Sequence, residues 1–487
     1  MLVKFEGYAP DADPTMPGVL TDCNALLPSL KGFRAAPSAQ SAGIDTLSAP
    51  CLGAAALQKL DESTRVIAGT STKLYEISGT TWTDRSTTAG YSLGADQRWR
   101  FAQFGDVALA AAKTENLQAS TTAAFSLAGA AAPKASIVET VGQFVMLADT
   151  NETTYGDSPD RWWCSAIADY TDWVPAISTQ CATGRLTSVP GKIRAMRRFG
   201  DQVIAYKQRG MFRGVYVGAP LVWEFAEIPG NVGAMTQEAI VNVGTPEDPR
   251  HIFMGFEDFY TFDGSRPIPI GTNRVKENVF GDLNRDYSEN CIALHDSANS
   301  LVFFFYPVAD STSPDKCVVY NYRTGKWGRD DRQIQAALEY IQPSITYAGL
   351  GSAYGTYGAL PNVSYASSLF IAGSPIPAVF STTNVLQTLN AAPTTWGYTT
   401  GDIGDDMLEV FVSRVKPRFI TNPSSGTQIN YYRQSLGDSL SSDASATLND
   451  SRFDCLREAR WHRFAHSFIG AGEVTALNLV TAGAGSE

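Results

Sequence analysis

Leu74-Tyr75-Glu76-Ile77-Ser78-Gly79-Thr80-Thr81-Trp82 and, far downstream, Val319-Tyr320-Asn321-Tyr322-Arg323-Thr324-Gly325-Lys326-Trp327 share one layout. An apolar or aromatic strand end runs into a glycine turn, and a Trp follows seven residues after a Tyr. Tyr216 and Trp223 repeat the offset around Gly218. Tyr260 and Phe370 keep the aromatic and the glycine (Gly264, Gly373), with Pro267 and Pro377 in place of the Trp. Trp173 closes a similar segment, Trp163-Cys164-Ser165-Ala166-Ile167, that lacks the Tyr. The copies start at 75, 166, 216, 260, 320 and 370, and the wide first gap leaves room for a weak unit near Leu117. Self-similarity at such a period is the signature of a repeat architecture.

A second element precedes several copies. Phe104-Gly105-Asp106-Val107-Ala108-Leu109-Ala110 and Phe199-Gly200-Asp201-Gln202-Val203-Ile204-Ala205 each read as a turn and an alternating strand, and 141–147 is a looser copy. Between 55 and 385 the chain consists of short β-favouring runs set off by Gly, Asn, Asp and Pro, which makes it all-β. Each period of 44 to 60 residues therefore holds four strands, the spacing of a β-propeller blade. In that fold an outer-strand aromatic fills the wedge between adjacent sheets. The expected architecture is an all-β propeller of six or seven blades, with a stacked β-sandwich or β-solenoid as alternatives.

Working outward, residues 1–52 read as an extended N-terminal arm. Five prolines from Pro10 to Pro37 break any helix, and Phe5, Tyr8 and Phe33 supply anchors against another surface. The propeller is expected over 53–388 and a C-terminal β-sandwich over 389–487, with strands at Met407 to Arg418, Ile429 to Arg433 and Glu473 to Val480. Leu456 to Phe468 is ambiguous, because Trp461, Phe464, Ala465 and Phe468 also fit a helical stripe.

The 487 residues are 44% hydrophobic and 18% charged, enough apolar material for a core and too much for a disordered chain. A net charge of −11 has the wrong sign for a surface dedicated to gripping DNA. The longest apolar run, Leu301 to Ala309, is about half a membrane-spanning helix and contains Pro307, so no membrane insertion is expected. Residues 1–17 lack the apolar core of a signal peptide, which points to synthesis and folding in a cytoplasm. Seven dispersed cysteines without a C-x-x-C read as reduced, mostly buried hydrophobes.

Catalytic and cofactor signatures are not found. Phosphate-cradling and nucleophile-elbow motifs are absent, and Gly349-Leu350-Gly351-Ser352 lacks the third glycine of a dinucleotide fingerprint. His462 and His466 at i, i+4 could share a metal on a helix, but their surroundings read as strands, which favours surface or interface histidines. Gly79-Thr80-Thr81-Trp82 looks like the tail of the Asp-box turn of sialidase-type propellers, without the Asp. Hydrolysis of that kind needs arginines, a tyrosine nucleophile and paired carboxylates converging, which a sequence alone does not reveal. The reading is therefore no enzyme, no cofactor and no metal.

One strip opposes the overall charge: Lys192, Arg194, Arg197, Arg198, Lys207, Arg209 and Arg213 are offset only by Asp201. Such a strip suits a subunit contact, transient contact with DNA, or plain solvated surface.

Together the arm, the repeats and the β-rich tail resemble the tail hub or nozzle proteins of short-tailed bacteriophages, also called packaged-DNA stabilisation proteins. The resemblance rests on residues 14–24, Leu27-Pro28, Lys31-Gly32-Phe33-Arg34, the run from Trp163 to Trp173, Phe259-Tyr260-Thr261-Phe262-Asp263-Gly264, and Arg460-Trp461-His462-Arg463-Phe464. It implies a virion protein without catalytic residues, assembled in the bacterial host cytoplasm. Six copies would form a ring below the portal and its adaptor protein, contacting tail fibres or tailspikes. Genomic DNA is retained and ejected through the ring. An acidic lining suits a conduit that must not bind what it conducts. The competing function is a propeller-type glycan-binding protein or glycosidase of a phage tail.

Overall fold

The computed structural model describes residues 1–94, 96–245, 247–341, 356 and 375–486. Phe370 and Gly373 of the last repeat, and the 349–352 glycine run, lie outside the described residues. Within them the chain is almost entirely β. The exceptions are a helical turn at Lys276–Asp282 and a 3₁₀ segment at Arg285–Asn290.

Seven four-stranded blades follow one another among the described residues. Their innermost strands are Gly53–Gln58, Arg100–Phe104, Lys134–Val141, Ala195–Phe199, Ile240–Asn242, Ile292–Asp296 and Ile334–Ile341. Six blades are built from consecutive hairpins. The seventh takes its outer strand, Ser38–Ser41, from upstream of the first blade, so the ring is fastened by an antiparallel ladder onto Leu386–Ala391. The repeat positions near 75, 117, 166, 216, 260 and 320 fall in blades one to six in order, which fixes the number at seven.

The recurring tryptophans sit where blades meet. Trp82 of blade one packs on Phe380 of blade seven at 5.9 Å, and Trp223 of blade four on Phe144 of blade three at 5.6 Å. Trp327 of blade six packs on Phe259 of blade five at 5.0 Å. Each ring reaches the preceding blade, and separate apolar clusters fill the seams. The seam of blades one and two also needs glycine. A Cβ on Gly69 would lie 2.2 Å from the Trp99 ring, and Gly53, at φ +153°, would place one 2.1 Å from the Trp99 carbonyl.

The sandwich is made from both ends of the chain. In one sheet, Leu26–Pro28 joins the outer strand of blade six, and Phe33–Ala35 connects it to the 14-residue pair Glu473–Ser486 and Leu408–Thr421. Leu2–Lys4 adds to the same ladder. The facing sheet runs Gly7–Tyr8, Val19–Asn24, Thr395–Thr400, Trp461–Ile469 and Ser425–Arg433. The segment read as an arm is thus woven into both sheets and the last blade. The seam of blades five and six is continuous with the sandwich core through Phe259, Trp327, Phe5 and Phe33. Asp11 adds a polar tie, accepting hydrogen bonds from the Glu277 and Asn278 amides.

Leu456 to Phe468 is not helical. It forms the end of Phe453–Ala459 and most of Trp461–Ile469, with Phe464, His466 and Phe468 turned into the core. His462 and His466 share a face of that strand and are buried rather than at the surface. His462 bonds Asn430 Oδ1 and the Val410 carbonyl, and His466 bonds Gln428 Oε1. No metal-binding group of His, Cys, Asp and Glu occurs among the described residues. Six of the seven cysteines are buried, and Cys455 is half-buried. No described helix is long and apolar enough to cross a membrane.

Candidate functional site: the axial mouth of the propeller

Inner strands that are short of large side chains leave space along the propeller axis. A mouth of about 340 Å³ narrows to a throat of about 180 Å³ walled by Gly53, Ala54, Ala55, Ala293, Ala336 and Ala337. The throat opens into a second mouth of about 380 Å³. Arg98 and Arg100 line both the first mouth and the throat, while Arg197 lines both the throat and the second mouth.

Two tripeptides supply the cations of the first mouth: Arg98-Trp99-Arg100 entering blade two and Lys192-Ile193-Arg194 entering blade four. Strand alternation sends both outer residues toward the axis and the middle apolar one into a seam, where Trp99 and Ile193 are each 1% exposed. Lys113 joins them from blade two.

These charges are not equally compensated. Arg100 grips Glu238 with two parallel bonds of 2.7 and 3.0 Å and donates to the Ser136 carbonyl. Burial opposes charge at Glu238, but Arg100 outweighs it and holds the carboxyl below its ordinary range. Lys113 bridges Asp149 at 2.6 Å and Asp157 at 2.7 Å. Lys192 meets Glu289 at 2.5 Å.

Arg98 makes no direct ion pair among the described residues, although Glu238 acts on it through space. Its Nε and one terminal nitrogen both donate to Asn290 Oδ1 at 3.1 Å, and the other terminal nitrogen donates to the Gln335 carbonyl. Arg194 has only a 3.4 Å contact with the Glu289 oxygen already held by Lys192, and a 3.3 Å bond to the Met235 carbonyl. Its guanidinium lies 4.7 Å from the Phe256 ring centroid. Burial pulls both arginines below their ordinary pKa, at Arg98 against the attraction of Glu238 and at Arg194 against that of Glu289 and Asp149.

The seven cations of the basic strip therefore do not form one surface. Lys192 and Arg194 belong to the first mouth and Arg197 to the throat. Arg197 donates to the Gln237 carbonyl at 2.7 Å and lies 3.6 Å from Glu139. Arg198 faces the second mouth and bonds the Gly200 carbonyl. Lys207 is fully buried, its ammonium on the Leu186 and Val189 carbonyls, and cannot meet a partner. Arg209 is exposed opposite Glu257, and Arg213 donates to the Gly264 carbonyl.

Sequence reasoning missed Arg98 and Arg100, which belong to no charge run. The available signal was the matching cation-apolar-cation pattern at the entry to two blades, visible only once the repeats are aligned. The mouth also contains Tyr287, Asp96, Asp149, Asp286 and Glu289, so arginines, a tyrosine and carboxylates do converge. The Tyr287 hydroxyl has no described hydrogen-bond partner to serve as its base, and no histidine lines this mouth. Five cations and four carboxylates thus line one mouth.

No protein-family model and no curated protein matches the chain. Among solved structures it is similar to YCF48 bound to a D1 peptide, at 12% identity and a TM-score of 0.39, over 75% of this chain and 98% of that one. It is also similar to YCF48 from Cyanidioschyzon merolae, at 12% identity and a TM-score of 0.36, over 73% and 99% respectively.

Proposed function

We propose that this chain is a structural component of a short-tailed bacteriophage tail. In this reading it is one of six copies in a hub or nozzle ring below the portal and adaptor, where DNA is retained and then ejected. The sequence resemblance supplies the family. The observation that carries the assembly role is a pair of unlike, separated apolar patches. One lies on the rim of blades three and four, where Val174, Ile177, Val215, Val217 and Leu221 are exposed and Tyr216 donates to Gln180. The other lies on the sandwich, which grows from blade six, where Leu456 and Val480 are exposed on the two strands that flank Leu408–Thr421 at the level of Ser413 and Arg414.

Exposed apolar patches of this kind mark contact surfaces, and a head-to-tail ring requires two different ones. The axial throat, at about 180 Å³, is too small for a duplex, so the conduit is the hole of the ring rather than the propeller axis. A net charge of −11 per copy suits a lining that repels DNA.

Paired variants test this reading. Ile177→Asp with Leu221→Asp blocks the rim patch, and Leu456→Asp with Val480→Asp blocks the sandwich patch. Each double variant alone is expected to be monomeric, while a mixture of the two yields a dimer that grows no further. Rings formed by either double variant alone would refute the assignment of the patches.

A further inference from the structure

The first axial mouth has a use that assembly does not explain. Its two guanidiniums without a close ion pair of their own meet adjacent residues of the 3₁₀ segment 285–290, Arg98 bonding Asn290 and Arg194 touching Glu289. Asn290 stands where a carboxylate would have neutralised Arg98. Of the five N–H donors of Arg98, three are used by protein oxygens. Arg194 uses one nitrogen, leaving its Nε and other terminal nitrogen without a described protein acceptor. Both side chains are half-buried, so their charge is only partly screened by water.

Around this cationic floor the rim carries acceptors: Asp96, Asp286 and Glu289 line the same cavity. A polyphosphate would meet these carboxylates with repulsion. A ligand with one carboxylate and several hydroxyls would satisfy both the floor and the rim, since guanidinium forks suit planar carboxylates and the rim oxygens accept from hydroxyls. The cavity, at about 340 Å³, is of small-ligand size. We infer that the mouth between blades two and four is a binding site for a sugar acid, its carboxylate held between Arg98 and Arg194 and its hydroxyls on Asp96, Asp286 and Glu289. The site stands apart from the tail reading: an empty mouth would leave ring assembly untouched, and a monomeric protein could still bind.

Calorimetry or saturation-transfer NMR on the full chain, with D-glucuronate, acetate and glucose as probes, tests the inference. Glucuronate is expected to bind at millimolar concentrations, acetate more weakly, and glucose not detectably. Asn290→Asp places a carboxylate on Arg98 with almost no change of shape, at the cost of the hydrogen bond that Asn290 Nδ2 donates to the Thr312 carbonyl at 2.6 Å, and should weaken glucuronate by about tenfold or more in a protein whose melting temperature shows that it is still folded. Arg194→Gln should weaken it by a similar factor. Glucose binding as well as glucuronate, undiminished binding by Asn290→Asp, or no binding of glucuronate would each overturn the proposal.

Discussion

In the propeller, nearly every strand pairs with its neighbour in the chain, and each blade is a run of short hairpins. In the sandwich the opposite holds. Leu2–Lys4 lies on Glu473–Ser486, and Val19–Asn24 on Thr395–Thr400, so the sheets cannot close until the last residues have been added. The propeller is local and modular. The sandwich is non-local, and its closure also ties the first residues to blade six. Local contacts cost little loop entropy, whereas joining the two ends costs more and forms more slowly.

The largest effect should come from removing residues 1–35. This deletes strands from both sandwich sheets but leaves Ser38–Ser41 to fasten the ring. Calorimetry should lose the transition of the sandwich and keep one for the propeller. Simultaneous loss of both would mean that the two regions form a single cooperative unit.

Acid separates the regions next. Burial pulls His466 down to about 3 and His251 down to about 4, and His462 is lowered too. Because these folded-state values lie below the unfolded value of 6.5, the unfolded chain binds protons first. The stability from keeping them neutral is complete above about pH 6.5 and is lost as pH falls toward the folded values. His466 and His251 each contribute a slope of about 1.4 kcal/mol per pH unit in that window, and His462 adds to the slope in the same direction. The sandwich holds two of them and the propeller one, so urea unfolding at pH 7 and pH 5 should show the sandwich losing more than the propeller. His466→Phe should flatten the slope of the sandwich. Equal slopes in the two regions would break the comparison.

Smaller effects come from single core positions. Phe468, fully buried against Trp396, Phe419 and Phe453, should cost about 3–5 kcal/mol as Phe468→Ala, confined to the sandwich transition. Gly69→Ala drives a methyl into Trp99 and should cost about 1–3 kcal/mol, confined to the propeller. Denaturation followed by tryptophan fluorescence reads both.

The same contrast explains what the sequence discloses. Blade hairpins are legible because Tyr75 with Trp82 and Tyr320 with Trp327 are close in the chain and recur. The sandwich core is legible only in its C-terminal half. Nothing local in Leu2–Lys4 or the polar Ser38–Ser41 states which distant strand completes its hydrogen bonds. His462 and His466 mislead because spacing alone does not distinguish a shared helical face from a shared buried strand face. The axial mouth is half legible: Lys192 and Arg194 stand in a conspicuous run, but a site on a ring axis gathers residues from several blades, and Arg98 enters it from a stretch without charge clustering.

The most direct test of the assembly account is the mass of the unmodified protein in solution, by light scattering across micromolar concentrations. The account predicts a closed species of six 52.5 kDa copies. A species that stays at the mass of one copy throughout that range would contradict it.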